Sequence, residues 1–121
     1  MYLIDSNIWL EYLLNQEKKN ECKEFLKVTD DSLIFISDFS LYSIGIITTK
    51  GNKREVYEEF LIDTFETVDV RLLSLEINDH RKLINNINSF NFDFDDAYQL
   101  TCANKYNLTL VSFDTTLIEA L

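Results

Sequence analysis

Apolar residues follow two rhythms along this 121-residue chain. Tyr2-Leu3-Ile4, Leu33-Ile34-Phe35-Ile36 and Leu108 to Phe113 are short continuous runs, the pattern of strands covered on both faces. Val68 to Leu73 reads as a further strand with some alternation. Between these runs the apolar positions recur at helical spacing. Ile8, Trp9, Tyr12 and Leu13 predict a helix opened by Ser6 or Asn7. Cys22, Phe25 and Leu26 predict one over Glu17 to Lys27. After a turn at Asp30-Asp31-Ser32 and the second strand, Ser37 caps a helix bearing Phe39, Leu41, Ile44, Ile46 and Ile47, ended by Lys50-Gly51-Asn52. Arg54 to Phe65, Leu75 to Asn88 and Asp95 to Tyr106 complete the helical set, and the tail from Thr115 to Leu121 is too short to assign. Strands alternating with helices call for a parallel sheet with right-handed crossovers.

Composition narrows this picture. Proline is absent and only Gly45 and Gly51 occur, with no linker, repeat or low-complexity tract, so residues 1–121 read as a single domain. Hydrophobic residues make up 46%, too many for a disordered segment. No apolar run approaches the roughly 20 residues that span a bilayer, and no basic stretch precedes the first apolar residues. Cys22 and Cys102 stand far apart and read as buried thiols of a cytoplasmic protein rather than a bridge or a zinc site.

The formal net charge is −10. That argues against a protein that coats nucleic acid through a basic face, yet it leaves room for a metal-dependent nuclease, in which phosphate meets bound cations rather than bare carboxylates. It equally suits a basic partner surface.

Candidate chemistry gathers at strand ends. Asp5 closes the first strand, Asp95 and Asp96 open a late helix, and Asp114 follows the last strand. The carboxyl ends of parallel strands share one edge, where ligand crevices open. Acids collected there repel one another unless a cation lies between them, which points to a hard-metal site. Each has a plainer reading taken alone: Asp5 as a helix cap, Asp96 as a favourable first-turn charge, Asp114 as a turn residue. Asp38, Asp93 and Asp95 read first as solvated acids or caps, and His80 as a surface residue. Lys50, Lys53 and Arg54 form the clearest basic cluster; they could hold an RNA backbone or simply complement a helix dipole. Tyr42, Tyr57 and Trp9 read as core aromatics rather than base-stacking platforms.

Leu-Ile-Asp-Ser-Asn-Ile at the start, Ile36-Ser37 opening a helix, Asp95-Asp96-Ala97-Tyr98-Gln99-Leu100, and Leu110-Val111-Ser112-Phe113-Asp114 together resemble the PIN domain, in order and spacing, over nearly the whole chain. The resemblance implies a three-layer α/β/α sandwich around a central parallel sheet of strand order 3-2-1-4-5. It implies a metal-dependent endoribonuclease using Mg²⁺ or Mn²⁺, of the kind that serves as the toxin of a toxin–antitoxin pair. RNA would be the substrate, a separate antitoxin protein and a second copy in a homodimer the partners. By position it makes Asp5, Asp96 and Asp114 the catalytic metal ligands, with Asp95 as a further candidate. Ser6 and Asn7 could then orient ligands or a water behind them.

One position departs from the family. A glutamate is usual one to two turns into the helix after the second strand; counting from Ser37, that position is Ser43, whose hydroxyl brings no charge. The departure keeps a second expectation open, a catalytically weak or silent PIN-like protein that acts by binding. A third, a signalling receiver domain, would need an acid pair after the first strand and a lysine after a late one. Here Ser6 follows Asp5, and Phe113-Asp114 ends the last strand.

Overall fold

The computed structural model describes residues 1–120; Leu121 lies outside the described residues. Four parallel strands, β1 (Tyr2–Ile4), β2 (Ile34–Ser37), β3 (Arg71–Leu73) and β4 (Thr109–Val111), form one sheet in the order β3-β2-β1-β4. This is the expected 3-2-1-4 succession; a fifth strand does not occur among the described residues. The strands are shorter than the apolar runs suggested. Leu33 closes a 3₁₀ turn at Asp31–Leu33, and Val68 and Val70 precede β3 rather than belonging to it.

The helices are α1 (Ser6–Leu13), α2 (Lys19–Val28), α3 (Asp38–Lys50), α4 (Arg54–Leu61), α5 (His80–Phe90), α6 (Phe94–Tyr106) and α7 (Thr115–Glu119). The segment expected as one helix over Arg54 to Phe65 changes to a π-helical turn at Ile62–Glu66, and the one expected from Leu75 begins with a 3₁₀ turn at Ile77–Asp79. The unassigned tail carries α7. Asparagine does the work usually given to glycine at helix ends. Asn15, Asn52, Asn91 and Asn107 all take positive φ, whereas Gly51, beside Asn52, does not. Asparagine tolerates that region better than other side chains.

Alternation within each short strand creates a core on both sides of the sheet. Leu3, Phe35 and Leu110 point to one face and pack with Leu83 of α5, Ala97, Leu100 and Cys102 of α6, and Leu117 of α7. Ile4, Ile34 and Ile36 point to the other and pack with Ile8 and Trp9 of α1, Cys22 of α2, Ile44 of α3 and Phe60 of α4. The three layers follow from chain direction. From β1 through β2 to β3 the chain advances one way across the sheet; from β3 to β4 it returns past β1. With right-handed crossovers, that reversal moves α5 and α6 to the opposite face from α1–α4. Both cysteines are buried and free, and burial pushes the Cys102 thiol up to about 12. No helix among the described residues is long and apolar enough to cross a membrane.

The reversal also fixes where a ligand crevice can form. β1 and β4 are the neighbours at which the strand order changes direction, so their carboxyl ends flank the topological switch point.

Because Ile44 is fully buried beneath α3, Ile44→Ala is expected to cost about 2–5 kcal/mol in urea denaturation. Ile77→Ala, at a side chain that is 88% exposed, is expected to stay within about 0.5 kcal/mol of the parent.

Candidate active site

The acids meet at that switch point. Asp5 directly follows β1 and caps α1, its Oδ1 accepting from the Ser6 amide at 2.8 Å. Asp114 follows β4 and caps α7, its Oδ1 accepting from the Leu117 amide at 3.2 Å. Asp95 and Asp96 lie in the first turn of α6, where a carboxylate is favoured by the unpaired helix amides. Asp5, Asp95, Asp96 and Asp114 line one cavity of about 190 Å³, together with Ser6, Asn7, Phe39, Ser40, Ser43 and Gln99. No basic side chain lines it.

Asp5 is the anchor of the site. It is only 8% exposed, and a buried carboxylate must find donors. Besides the Ser6 amide it has two. Gln99 Nε2 donates to Oδ1 at 2.9 Å, and Ser112 Oγ donates to Oδ2 at 2.7 Å. Ser112 in turn accepts from Asn7 Nδ2 at 3.2 Å and from the Asp114 amide at 3.0 Å, so it ties both strand-end acids to one hydroxyl. Gln99 is 3% exposed and uses its whole amide: Nε2 also donates to Ser40 Oγ at 2.8 Å, and Oε1 accepts from Ser37 Oγ at 2.7 Å. Ser37, the cap of α3, accepts from the Ser40 amide at 3.0 Å. This buried chain links the ends of β1 and β2 to α6.

Electrostatics single out Asp96. Burial, then Asp114, Asp95, Asp5 and Asp93 in turn, raise its carboxyl to about 6. Acids placed this close without a counter-cation each make the next harder to ionise.

The other candidate residues lie in and around this cavity. Ser43 lines the cavity, so the position where the family glutamate is missing does face the acids. Asp38 is committed elsewhere: its Oδ1 accepts from the Phe39 amide and from the Tyr98 hydroxyl at 2.6 Å. Asp93 is exposed at the start of α6 and does not line the cavity. Lys50, Lys53 and Arg54 are exposed and line no part of it; at about 1.5 Å per residue, Lys50 sits roughly 10 Å along α3 beyond Ser43. His80 packs its ring 6.5 Å from that of Phe94. Gln99, Ser40 and Ser112 were not foreseen. One signal was available for Gln99, a polar residue three positions after Asp96 and hence on the same helix face, amid otherwise buried neighbours.

The donor set bears on a divalent ion. Among the described residues, no three acids, histidines or cysteines close around one point as a ready-made cage. Aspartate oxygens at the rim of an open cavity fit a hard cation that keeps several waters, which is how Mg²⁺ is commonly held. A larger cavity of about 500 Å³ lies between α1, α2 and α4, with Trp9, Leu13, Phe60 and Val70 in its walls. Asp31, Glu59 and Asp63 also line it, but Lys19, Lys23 and Lys27 share the lining and balance their charge, so size alone does not make it the reactive site.

The Asp96 shift makes a pH prediction. Its folded-state pKa lies above the ordinary 3.8, so the favourable protonated form is kept below that value and lost as pH rises through about 6. Asp96→Asn escapes this loss. Without added metal, the variant is expected to gain stability over the parent between pH 4 and 6 and hold the gain at pH 7, on the order of 1 kcal/mol after solvent screening, or about 4 °C in Tm. Thermal melts at pH 4 and pH 7 measure the difference.

Solved structures share this architecture. VapC20 of Mycobacterium tuberculosis, described as a toxin that cleaves the sarcin–ricin loop, superposes with a TM-score of 0.84 at 13% identity, over 99% of this chain and 95% of that one. FitAcB of Neisseria gonorrhoeae gives 0.78 at 19% identity, over 99% and 92%. A toxin–antitoxin complex from Klebsiella pneumoniae gives 0.77 at 16% identity, over 95% and 88%. No curated protein matches the chain. The family model of the PIN domain matches residues 2–120, and the chain belongs to that family.

Proposed function

We propose that this protein is a metal-dependent endoribonuclease, acting as one PIN domain and serving as the toxin of a toxin–antitoxin pair. The observation that carries the reading is the cavity at the switch point, lined by Asp5, Asp95, Asp96 and Asp114 with no cation beside them. Family membership supports nuclease chemistry. The names of the structural relatives, a toxin that cleaves the sarcin–ricin loop and a toxin–antitoxin complex, support the biological role and an antitoxin partner. A homodimer is part of the same proposal.

Asp5, Asp96 and Asp114 would hold Mg²⁺ or Mn²⁺, with Asp95 beside them. When bound, such an ion lowers the pKa of a coordinated water and shields the oxygen leaving phosphorus. The chain's own residues supply position. Gln99 and Ser112 hold the two oxygens of Asp5 in fixed directions. Ser112 couples Asp114 to the same arrangement through its amide. Among the described residues no hydrogen bond is donated to the Asp96 carboxyl, which leaves it able to take up a cation or a proton. Ser43 offers a neutral oxygen at the place of the usual glutamate.

Incubation with RNA and Mn²⁺ tests the reading. Asp5→Asn and Asp96→Asn are each expected to lower the cleavage rate by about 100-fold or more, the scale at which loss of a preorganised electrostatic group is felt. Unchanged cleavage in both variants rejects the assignment.

Ser43 favours a second reading, a weakly catalytic protein that acts by binding. Calorimetric titration with Mn²⁺ separates the two. If the three-acid site functions, Mn²⁺ binds near neutral pH, and Ser43→Glu tightens it by about tenfold or more, since an added carboxylate supplies charge and a hard oxygen. No binding in either form supports the silent reading.

A further inference from the structure

The acidic cavity has an attraction problem. Most nucleic-acid sites draw the backbone in with lysine and arginine. Here no cation lines the cavity, Lys50, Lys53 and Arg54 sit at the far end of α3, and the whole chain is at −10. Lysine and arginine of this chain are therefore not the main source of affinity for an RNA held at this site.

Aromatic surface is present instead. Phe39 lines the cavity, and its ring centroid lies 5.9 Å from that of Phe94. Phe94 opens α6 immediately before Asp95 and Asp96, yet it is 48% exposed. Its ring packs against Phe39 and Tyr98, and about half of the residue is left to solvent. In the sequence Phe113 sits between Ser112 and Asp114 and is also exposed, with Lys18 Nζ 4.7 Å from its ring centre. Phe39 is thus the aromatic residue in the cavity wall, Phe94 and Phe113 adjoin Asp95 and Asp114 along the chain, and Lys18 is itself stacked on a ring.

The geometry points to a nucleobase-binding shelf made by Phe39 and Phe94, on which an unpaired base of single-stranded RNA stacks while the adjoining phosphate reaches the acids. The inference rests on the nuclease reading and names the side chains that would hold its substrate. Bases within a duplex are already stacked and hide their faces, whereas those of loops and single strands offer them to aromatic side chains. The shelf selects unpaired RNA without reading sequence, because every base has such a face. Phe113, with Lys18, would receive a neighbouring nucleotide.

The test measures binding apart from cleavage. Full-length protein carrying Asp96→Asn is titrated in Mn²⁺ buffer with a fluorescent single-stranded RNA and with a blunt duplex of the same sequence. The single strand is expected to bind tighter, and its binding to weaken only shallowly with salt, with a log–log slope nearer −1 than the roughly −4 of a protein with six phosphate contacts. Adding Phe94→Ala is expected to weaken single-strand binding by about 5- to 150-fold, the equivalent of one lost stack, while Phe94→Tyr restores it. Phe94→Trp should show emission quenched by the single strand and not by the duplex. Phe94 is half exposed, so these variants are expected to fold; Phe39→Leu is the second check. Equal binding of duplex, a steep salt slope, or no effect of Phe94→Ala overturns the shelf. RNA cleavage that ignores Phe94→Ala sinks the shelf and leaves the nuclease standing. Binding that depends on Phe94, in a protein that never cleaves, does the reverse.

Discussion

A carboxylate buried at the end of the central strand is the constraint on which this molecule turns. Asp5 is almost wholly removed from water, and a charged or polar group so placed is tolerated only where donors reach it. Those donors come from three parts of the chain: the first amide of α1, Gln99 of α6, and Ser112 beyond β4. Each can arrive only if the sheet has the order it has, with β4 beside β1 and α6 on the far face. The same bonds that satisfy Asp5 thus register the two halves of the doubly covered sheet against each other, and the acid-lined cavity lies at that junction.

The neighbours of Asp5 are held less firmly, and this division has a use. Asp114 shares Ser112 with Asp5 and is partly tied by its own capping role. Asp96 is surrounded by other acids and has its carboxyl raised to about 6. A site built of one rigid and one electrostatically strained carboxylate favours the arrival of positive charge, because a cation relieves the repulsion that folding has imposed. Ser43, facing the same cavity, lowers the negative charge by one relative to the common family pattern, and Asp95 on the rim adds one back.

The surface around the cavity follows from the same charge balance. An acidic protein with acids at its centre cannot rely on the long-range pull that basic proteins exert on polynucleotides. Under the proposed nuclease reading, apolar contact, short-ranged and little affected by salt, would add to the pull of a bound cation in holding a chain near the acids. The exposed rings of Phe94 and Phe113 beside the cavity give that contact a place.

The alternation of apolar runs and helical patterns was enough to establish four strands, parallel pairing and the helices between them, because burial on both faces leaves a continuous hydrophobic signature that local sequence carries. Strand ends were legible for the same reason, and with them Asp5 and Asp114, while Asp96 was legible as an acid in the first turn of a late helix. Strand lengths were not: Val68 and Val70 are as apolar as any strand residue, but pairing with β2 begins only at Arg71. Nor did the chain announce that Asn52, rather than Gly51, would take the left-handed position after α3. Gln99 and Ser112 carried no mark as partners of Asp5, since they lie 94 and 107 residues away. The separation of Lys50, Lys53 and Arg54 from the cavity was equally hidden, because closeness in sequence to a helix says nothing of which end of that helix faces the site. Local composition and period determined what the elements are and which acids end the strands; only the folded sheet, by bringing distant strand ends to one switch point, decided which polar groups share a single buried carboxylate.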